Sequence, residues 1–396
     1  MRRAYKFLLR PTVGQQAALT ACLDDHRQLY NAALQERRDA YRKRKVSIRY
    51  GDQSAQLKDI RRDDPDGQGR WSFSSQQATL RRLDKAFQAF FRRLKAGQTP
   101  GFPRFKGAGW FDTVDWPKDR DGCRWNSTPD SGQTRVYLQG IGHIRVHAHR
   151  TVEGIVKTIS VKREGRRWYL VLSCDDVPAL DLPETGRATG IDMGIASFLT
   201  TADGEQIINP RHGRRTAERL AAAQRHAASF GRKKAADRSR RHRQAVARVA
   251  ALHAKVRRRR LDHAHKTARR LVATYDVIAC EALRITNMTR SASGTAEQPG
   301  TNVAQKTGLN RSILDAGWGV FLTVLRAKAE SAGRVIVEVD PANTSRTCPQ
   351  PECGHVAKEN RPTQADFRCV SCGYADHADV VGATNILRAG LALLTS

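Results

Sequence analysis

The spacing of apolar positions changes several times along the 396-residue chain. Near the start, "AYKFLL" reads as a short strand stopped by Pro11. From residue 14 to residue 45 the period lengthens, and Leu19, Leu23, Leu29 and Leu34 recur at roughly helical spacing. A polar linker, "RRDDPDGQGRW", follows. A second helix is predicted from about Ser74 to Lys95, with Ser74 or Ser75 as N-cap and Leu80, Leu83, Phe87, Phe90, Phe91 and Leu94 on its apolar face. The Gly- and Pro-rich "GQTPGFPRFKGAGWF" then breaks all periodicity. Between Arg135 and Ser173, "RVYLQ", "HIRVHA", "IVKTISVKR" and "RWYLVLSC" have the composition of strands, enough for a small barrel or sheet. The strand "AYKFLL" would complete it, which makes the helices of residues 14–95 an insertion. The stretch "DVPALDLPETG" reads as a linker to the second half.

Residues 187–388 read as mixed α/β. "ATGIDMGIASFLTTADGEQII" predicts a hairpin turning at "ADGE", and "YDVIACEAL" and "GRVIVEVD" have the composition of buried strands. Between them runs a long helical stretch whose apolar stripe is narrow: Val246, Val249, Leu252 and Val256. Residues 287–309, polar and Gly-containing, read as a mobile loop.

Charge decides what such a chain is for. It carries 69 Lys and Arg against 39 Asp and Glu, a net charge of +30. Residues 211–270 alone hold 21 Lys and Arg against 3 Asp and Glu, too many for ion pairing within the segment to neutralise. That excess repels itself in a free compact protein, and a polyanion relieves it. Nucleic acid is the first candidate and an anionic membrane surface the second. The membrane reading is weakened because no apolar run near 18 residues is evident. The apolar part of "MRRAYKFLLRPT" is too short for a signal peptide. The expectation is a soluble, cytoplasmic protein, and the mixture of Phe, Trp, Lys and Arg in residues 97–111 suits backbone binding with base stacking as well as it suits burial.

Eight cysteines divide into two sets. Cys22, Cys123, Cys174 and Cys280 are scattered and read as reduced packing residues. Cys348 and Cys353 in "CPQPECGH", with Cys369 and Cys372 in "CVSCG", are grouped as a tetrahedral zinc requires. Because the first pair is spaced C-x4-C, His355 stands as a substitute for one thiolate.

Three carboxylates occupy unusual contexts. Asp192 sits in "GIDMG" and Glu281 ends "VIACE", both in apolar strands, and Asp379 starts a helix after the cysteines. Acids in apolar strands are costly unless paired or metal-bound. An Asp on a first strand, a Glu on a central strand and an Asp on a late helix follow the order of RNase H-like nucleases. Asp376 is a rival third acid, on the cysteine side. Converging carboxylates repel one another, and divalent cations remove that penalty. Two Mg²⁺ ions roughly 3.5–4 Å apart activate water and stabilise the phosphorane and leaving oxygen of phosphodiester hydrolysis. Other chemistries lack support: His242, His253, His263 and His265 lie in basic helices without Cys or carboxylate partners at ligand spacing, and the chain has no P-loop and no G-x-S-x-G elbow.

Taken together, "GIDMG", "ACEAL", "LNRSILDAGWGVFLTVLRAKAESAGRVIVEVDPANTSRTC", "CVSCG" and "ADVVGATNIL" resemble the TnpB family, transposon-encoded RNA-guided DNA nucleases related to miniature type V CRISPR effectors. Upstream, "QQATLRRLDKAFQAFFRRLKAGQTPGFPRFKG" resembles the same family. The resemblance implies a β-barrel wedge domain over residues 1–13 and 96–183 with a helical recognition domain (14–95) inserted in it. It implies a RuvC-like, RNase H-like nuclease domain over 187–343 and 376–396, interrupted by a zinc-ribbon segment over 344–375. It implies Asp192, Glu281 and Asp379 as the catalytic, Mg²⁺-holding triad, with structural zinc on the four grouped cysteines. The implied partners are a guide RNA and double-stranded target DNA, with no membrane and one guide RNA per monomer. In relatives the helix over 74–95 lies against the duplex motif flanking the target, which makes Gln76 and Gln77 candidates for reading base edges. Two departures stand out: the wide first cysteine pair, and "DVVGA" from Asp379 where the family usually has D-x-N-A-A, with Asn385 retained. The competing readings are a guide-directed DNA-binding repressor that does not cut, a compact type V effector, and a plain RNA-binding protein.

Overall fold

A computed structural model of the chain describes residues 1–231, 237–295 and 297–395. Two compact units divide it, Met1–Pro178 and the residues from Ala179 on.

The first unit runs β1 (Arg3–Arg10), then helices α1 (Val13–Arg44), α2 (Tyr50–Asp63) and α3 (Phe73–Lys95), then β2 (Thr113–Trp116), β3 (Cys123–Arg124), β4 (Arg135–Leu138), β5 (Gly142–His147), β6 (Ile155–Glu164) and β7 (Arg167–Asp175). Its seven strands form one antiparallel sheet in the order β2-β6-β7-β1-β5-β4-β3. The first strand does complete the sheet, pairing Tyr5 with Leu172 and Phe7 with Leu170. Period-two alternation sends Tyr5, Phe7 and Leu9 into the core with Ile144, Ile159, Leu170 and Leu172. The barrel reading needs correction: among the described residues no ladder joins the edge strands β2 and β3, and β3 is only two residues long. Strands β2 and β3 were too short to carry a periodicity signal.

Helix α1 starts at a reciprocal cap, in which Thr12 Oγ1 accepts from Gln15 N and Gln15 Oε1 accepts from Thr12 N. Helix α3 starts two or three residues earlier than predicted. Its N-cap is Ser72, and Ser75 instead donates its hydroxyl to the Ser72 carbonyl. Helix α2 went unpredicted because it buries only Gln53 and Leu57.

The second unit contains β8 (Ala188–Asp192), β9 (Ser197–Thr201), β10 (Gln206–Ile208), α4 (Ala217–Ala228), α5 (Arg240–Thr274), β11 (Val277–Glu281), α6 (Ile285–Met288), α7 (Val303–Ala316), α8 (Trp318–Ala332), β12 (Val335–Val339), β13 (Asp366–Arg368), β14 (Ala375–His377) and α9 (Ala378–Thr395). Five strands pair in the order β10-β9-β8-β11-β12. Strands β8, β11 and β12 are parallel, whereas β9 and β10 run antiparallel to their neighbours. One sheet face, through Ile191, Ile278 and Cys280, shares a core with Ala264, Ala268 and Leu271 of α5 and with Phe321 and Leu325 of α8. Ala279, Val337 and Val339 on the other face cluster with Ile386 of α9. The approach of α9 to β8 is close: a Cβ at Gly190 would lie 2.0 Å from the Ala383 carbonyl oxygen.

Several expectations change here. Residues 287–309 are not all loop, because α7 begins at Val303; Ala296 lies outside the described residues. The basic stretch 211–270 contains α4 and most of α5, with residues 232–236 outside the description. The end of the "DVPALDLPETG" linker is fastened, since Leu180 N donates to Ser331 O and Arg334 Nη2 to Pro183 O. Finally, α9 is an apolar run of 18 residues with mean hydropathy 1.2, long and apolar enough to cross a membrane. It escaped notice as such because Asp379, Asn385 and Arg388 punctuate it; its buried residues include Val381, Ala383 and Ile386.

Candidate acidic metal centre and thiol knuckle

Parallel pairing decides where two of the acids go. Cys280 is paired with Ile191, so Glu281 and Asp192, the next residue on each strand, end β11 and β8 side by side. Asp379 occupies the first turn of α9, the helix that Gly190 allows onto β8. The other two acids act on Asp192. Burial, followed by the negative charges of Glu281 and Asp379, pushes the Asp192 carboxyl up to about 7; Arg361 and the Met193 backbone amide pull the other way. Burial also raises Glu281, against the hydrogen bond from Thr344. Asp376 is not in this set: it lies on β14, exposed, and accepts from the Tyr374 hydroxyl at 2.9 Å.

Two further residues enter the centre that sequence reasoning missed. Arg361 places Nη2 3.5 Å from Asp379 Oδ1 and donates from the same nitrogen to Gln364 O. Thr344 donates its hydroxyl to Glu281 Oε1 at 2.6 Å. Both come from the segment between β12 and α9, whose loop conformation no periodicity announces. Asn385, noted in the sequence, is buried and donates to the carbonyls of Thr344 and Thr347, each at 2.8 Å. A Cβ at Gly382 would lie 2.9 Å from Asp192 Oδ2, so the departure at this position leaves room beside the acid.

The ligand atoms of Cys348, Cys353, Cys369 and Cys372 all lie within 4.8 Å of one another, the one such set of three or more His, Cys, Asp or Glu side chains among the described residues. Cys348 and Cys372 are 3.5 Å apart at sulfur, and Cys353 and Cys369 are 3.7 Å apart. These separations are too long for disulfides and match the edge of a thiolate tetrahedron, about 3.8 Å for a Zn–S bond of about 2.3 Å. The four thiols fit a structural zinc. His355 contributes its backbone carbonyl, which accepts from Cys348 N, and its side chain stays outside the set. The C-x4-C loop closes on Gln350, whose carbonyl accepts from Cys353 N and Gly354 N, and Gly354 takes the left-handed φ of 56° that the turn requires. Buried Asn360 joins the two knuckles, donating to Arg346 O and His355 O and accepting from Val370 N.

The nucleic-acid candidates on α3 fare differently. Gln76 is fully buried; its amide accepts from Arg61 Nη1 and donates to Gln68, so no edge is left for a base. The expectation for Gln76 is therefore corrected: it is a packing residue. Gln77 is half-buried and donates to Ser54 Oγ at 3.0 Å. On α5, Arg243, Arg248, Arg258 and Arg259 are exposed, and the packed stripe includes His242, Ala245 and Val256. Cys22, Cys123, Cys174 and Cys280 are free and buried.

Fold and site together define a mixed α/β protein of two compact units, with an acidic centre and a four-thiol knuckle in the second. Comparison with known proteins narrows this. The OrfB_IS605 profile, described as "Probable transposase", matches residues 169–292, and "Cas12f1-like, TNB domain" matches residues 318–386. A profile described as "Helix-turn-helix domain" matches residues 1–45, where the backbone forms β1 and the single helix α1. The chain is 32% identical over 397 residues to "Putative RNA-guided DNA endonuclease InsQ" of Escherichia coli (strain K12), covering 99% of this chain and 93% of that protein. It is 31% identical over 413 residues to "Putative RNA-guided DNA endonuclease" of Streptomyces pristinaespiralis, covering 99% and 90%. A shorter match, 46% identical over 59 residues (15% of this chain, 14% of the other), is to "CRISPR-associated endodeoxyribonuclease Cas12f1" of Sulfoacidibacillus thermotolerans. The chain belongs to the TnpB family, the OrfB_IS605 proteins related to Cas12f.

Proposed function

We propose that this protein is an RNA-guided DNA endonuclease that hydrolyses phosphodiester bonds in double-stranded DNA selected by a bound guide RNA beside a short flanking motif. One observation carries the reading: Glu281 and Asp379, both distant from Asp192 in sequence, act on its carboxyl at one end of the second unit's sheet. The strand order β10-β9-β8-β11-β12, with β8, β11 and β12 parallel, supports assigning residues 187–343 and 376–396 to an RNase H-like, RuvC-like domain and residues 344–375 to a zinc ribbon set into it. Residues 1–13 and 96–183 would form the wedge domain and residues 14–95 the recognition helices. Such a protein acts in the cytoplasm, on nucleoid DNA.

The donor set fits divalent cations. Burial first, and then the negative charges of Glu281 and Asp379, raise the Asp192 carboxyl, and bound cations would relieve both penalties. Asp192, Glu281 and Asp379 would hold Mg²⁺, two ions in this reading, which when bound supply an activated water and neutralise charge on the phosphate. The chain's own residues prepare the centre. Thr344 fixes the Glu281 carboxylate, Arg361 offsets part of the negative charge at Asp379, and Asn385 holds the ribbon's first residues against α9. The exposed arginines of α5 supply phosphate contacts. Base pairing reads the target sequence, and the protein reads duplex shape and the flank.

The test starts from the RNA that copurifies with the protein. A duplex matched to that RNA, joined to a randomised flank, is cut in the presence of Mg²⁺ and spared in EDTA, and an unmatched duplex is spared in both. Tight binding of the matched duplex without cutting in Mg²⁺ would replace this reading with that of a guide-directed repressor.

A further inference from the structure

The first unit exposes an aromatic surface that the proposed chemistry does not use. In α3, Leu80 and Leu83 are buried, but about two and three turns after Leu83 the side chains of Phe91 and Leu94 are 53% and 55% exposed. The following loop adds Phe102, Phe105 and Trp110 at 45%, 43% and 82%. The phenylalanine rings are held in place. Phe102 stands edge-on to Phe87 and Phe90 at 5.5 and 5.3 Å between centroids, and Phe90 is edge-on to Phe91 at 5.2 Å. Asn31 of α1 clamps the loop through both backbone groups of Lys106, donating to its carbonyl at 2.9 Å and accepting from its amide at 2.8 Å. The Arg38 guanidinium lies 5.2 Å from the centre of the Phe105 ring.

An apolar shelf this exposed marks a binding surface, and its charge selects the occupant. Residues 85–110 contain six Lys and Arg and no Asp or Glu. A second copy of this chain would bring the same cations against themselves. Ordered rings among cations match unpaired nucleotides, whose bases stack while their phosphates are neutralised. A surface that would otherwise stay wet throughout the protein's life calls for a permanent ligand, and in the function proposed above the permanent nucleic acid is the guide; DNA comes and goes. We propose that this shelf stacks unpaired bases of the guide RNA, an inference that rests on the guide-RNA reading.

The experiment uses the full chain with its copurifying RNA. Ultraviolet irradiation of that complex, followed by mass spectrometry of peptide–nucleotide adducts, is expected to find adducts on Phe91, Phe102 or Trp110. Replacing these three by Ala is expected to weaken binding of the same RNA by about fivefold to a hundredfold per stacked base lost. Phe91→Tyr and Trp110→Tyr, which keep a ring, should retain it. A melting curve shows whether the Ala variant folds; if it does not, the adduct map and the Tyr variants decide. If the wild-type chain carries no RNA, the guide-RNA reading itself fails. If it carries RNA but adducts map only elsewhere, or if the folded Ala variant holds the RNA as tightly, this inference alone is overturned. Two other results overturn it as well: flotation with phosphatidylglycerol vesicles that the Ala variant loses, and self-association of the RNA-free chain that the same variant abolishes.

Discussion

The Thr344 hydroxyl donates to Glu281 Oε1 at 2.6 Å, while the Thr344 carbonyl accepts from Asn385 Nδ2 at 2.8 Å. One residue of the segment that follows β12 therefore touches an acid of the centre with its side chain and helix α9 with its backbone. The acidic centre and the four-thiol segment are joined through it.

Thr344→Val keeps the shape and removes the donor. A hydrogen bond to a charged group contributes about 1.5–3 kcal/mol, so Mg²⁺-dependent cleavage should fall by roughly ten- to a hundredfold. Thr344→Ser should restore most of it. Single-turnover cleavage rates at saturating target check this, and equal rates for the Val and wild-type proteins would remove Thr344 from the centre.

The acidic centre should make the metal-free protein less stable as pH rises. The Asp192 carboxyl lies at about 7 in the folded chain against an ordinary 3.8. Between those values the unfolded chain has lost a proton that the folded chain keeps, so stability falls through that window as pH increases. Asp192→Asn should flatten the fall and raise the melting temperature at neutral pH. Added Mg²⁺ should stabilise the wild-type chain more at the upper end of the window than at the lower. Calorimetry in EDTA and in Mg²⁺ measures both.

Much of this centre was legible in the sequence because its parts are chemically costly. Acids ending apolar strands need a reason, and so do four thiols grouped near glycines. The hairpin and the two buried strands of the second unit came from apolar runs long enough to read, while the order in which they pair did not. What stayed hidden has physical causes. Gln76 looked available because a polar residue early in an amphipathic helix usually faces water, but Arg61 folds across and binds its amide. Thr344 and Arg361 reach the acids from loops, and loop geometry leaves no period in the sequence. Helix α2 and strands β2 and β3 bury too few residues to produce a pattern. The apolar length of α9 was masked by the few polar residues, Asp379 among them, that give it its role.

Backbone contact at Gly190 sets the distance between β8 and α9. A methyl group there would meet the Ala383 carbonyl oxygen at 2.0 Å and the Leu387 amide nitrogen at 2.5 Å, and neither can move without the helix. Gly190→Ala should destabilise the chain by several kcal/mol, as overpacking against backbone does at its upper end, and should abolish cleavage by parting Asp379 from Asp192. Chemical denaturation together with a cleavage assay tests it. A stable, active variant would contradict the packing.

Removing zinc should disable cutting even though no thiol touches an acid. The four sulfurs hold the segment that delivers Thr344 and Arg361 to the centre. Cys353→Ser, or a strong chelator, should release one zinc per chain in a colorimetric assay and lower cleavage at least as far as Thr344→Val does. Full activity in a zinc-free preparation would uncouple the ribbon from the centre.

The most direct measurement compares Asp192→Asn, Glu281→Gln and Asp379→Asn with the wild-type chain, each loaded with the same copurifying RNA and given the same matched duplex in Mg²⁺. Three acids serving one centre predict that every variant binds the duplex as tightly as the wild type and that none cuts it. A single variant of the three cutting at the wild-type rate would contradict the account.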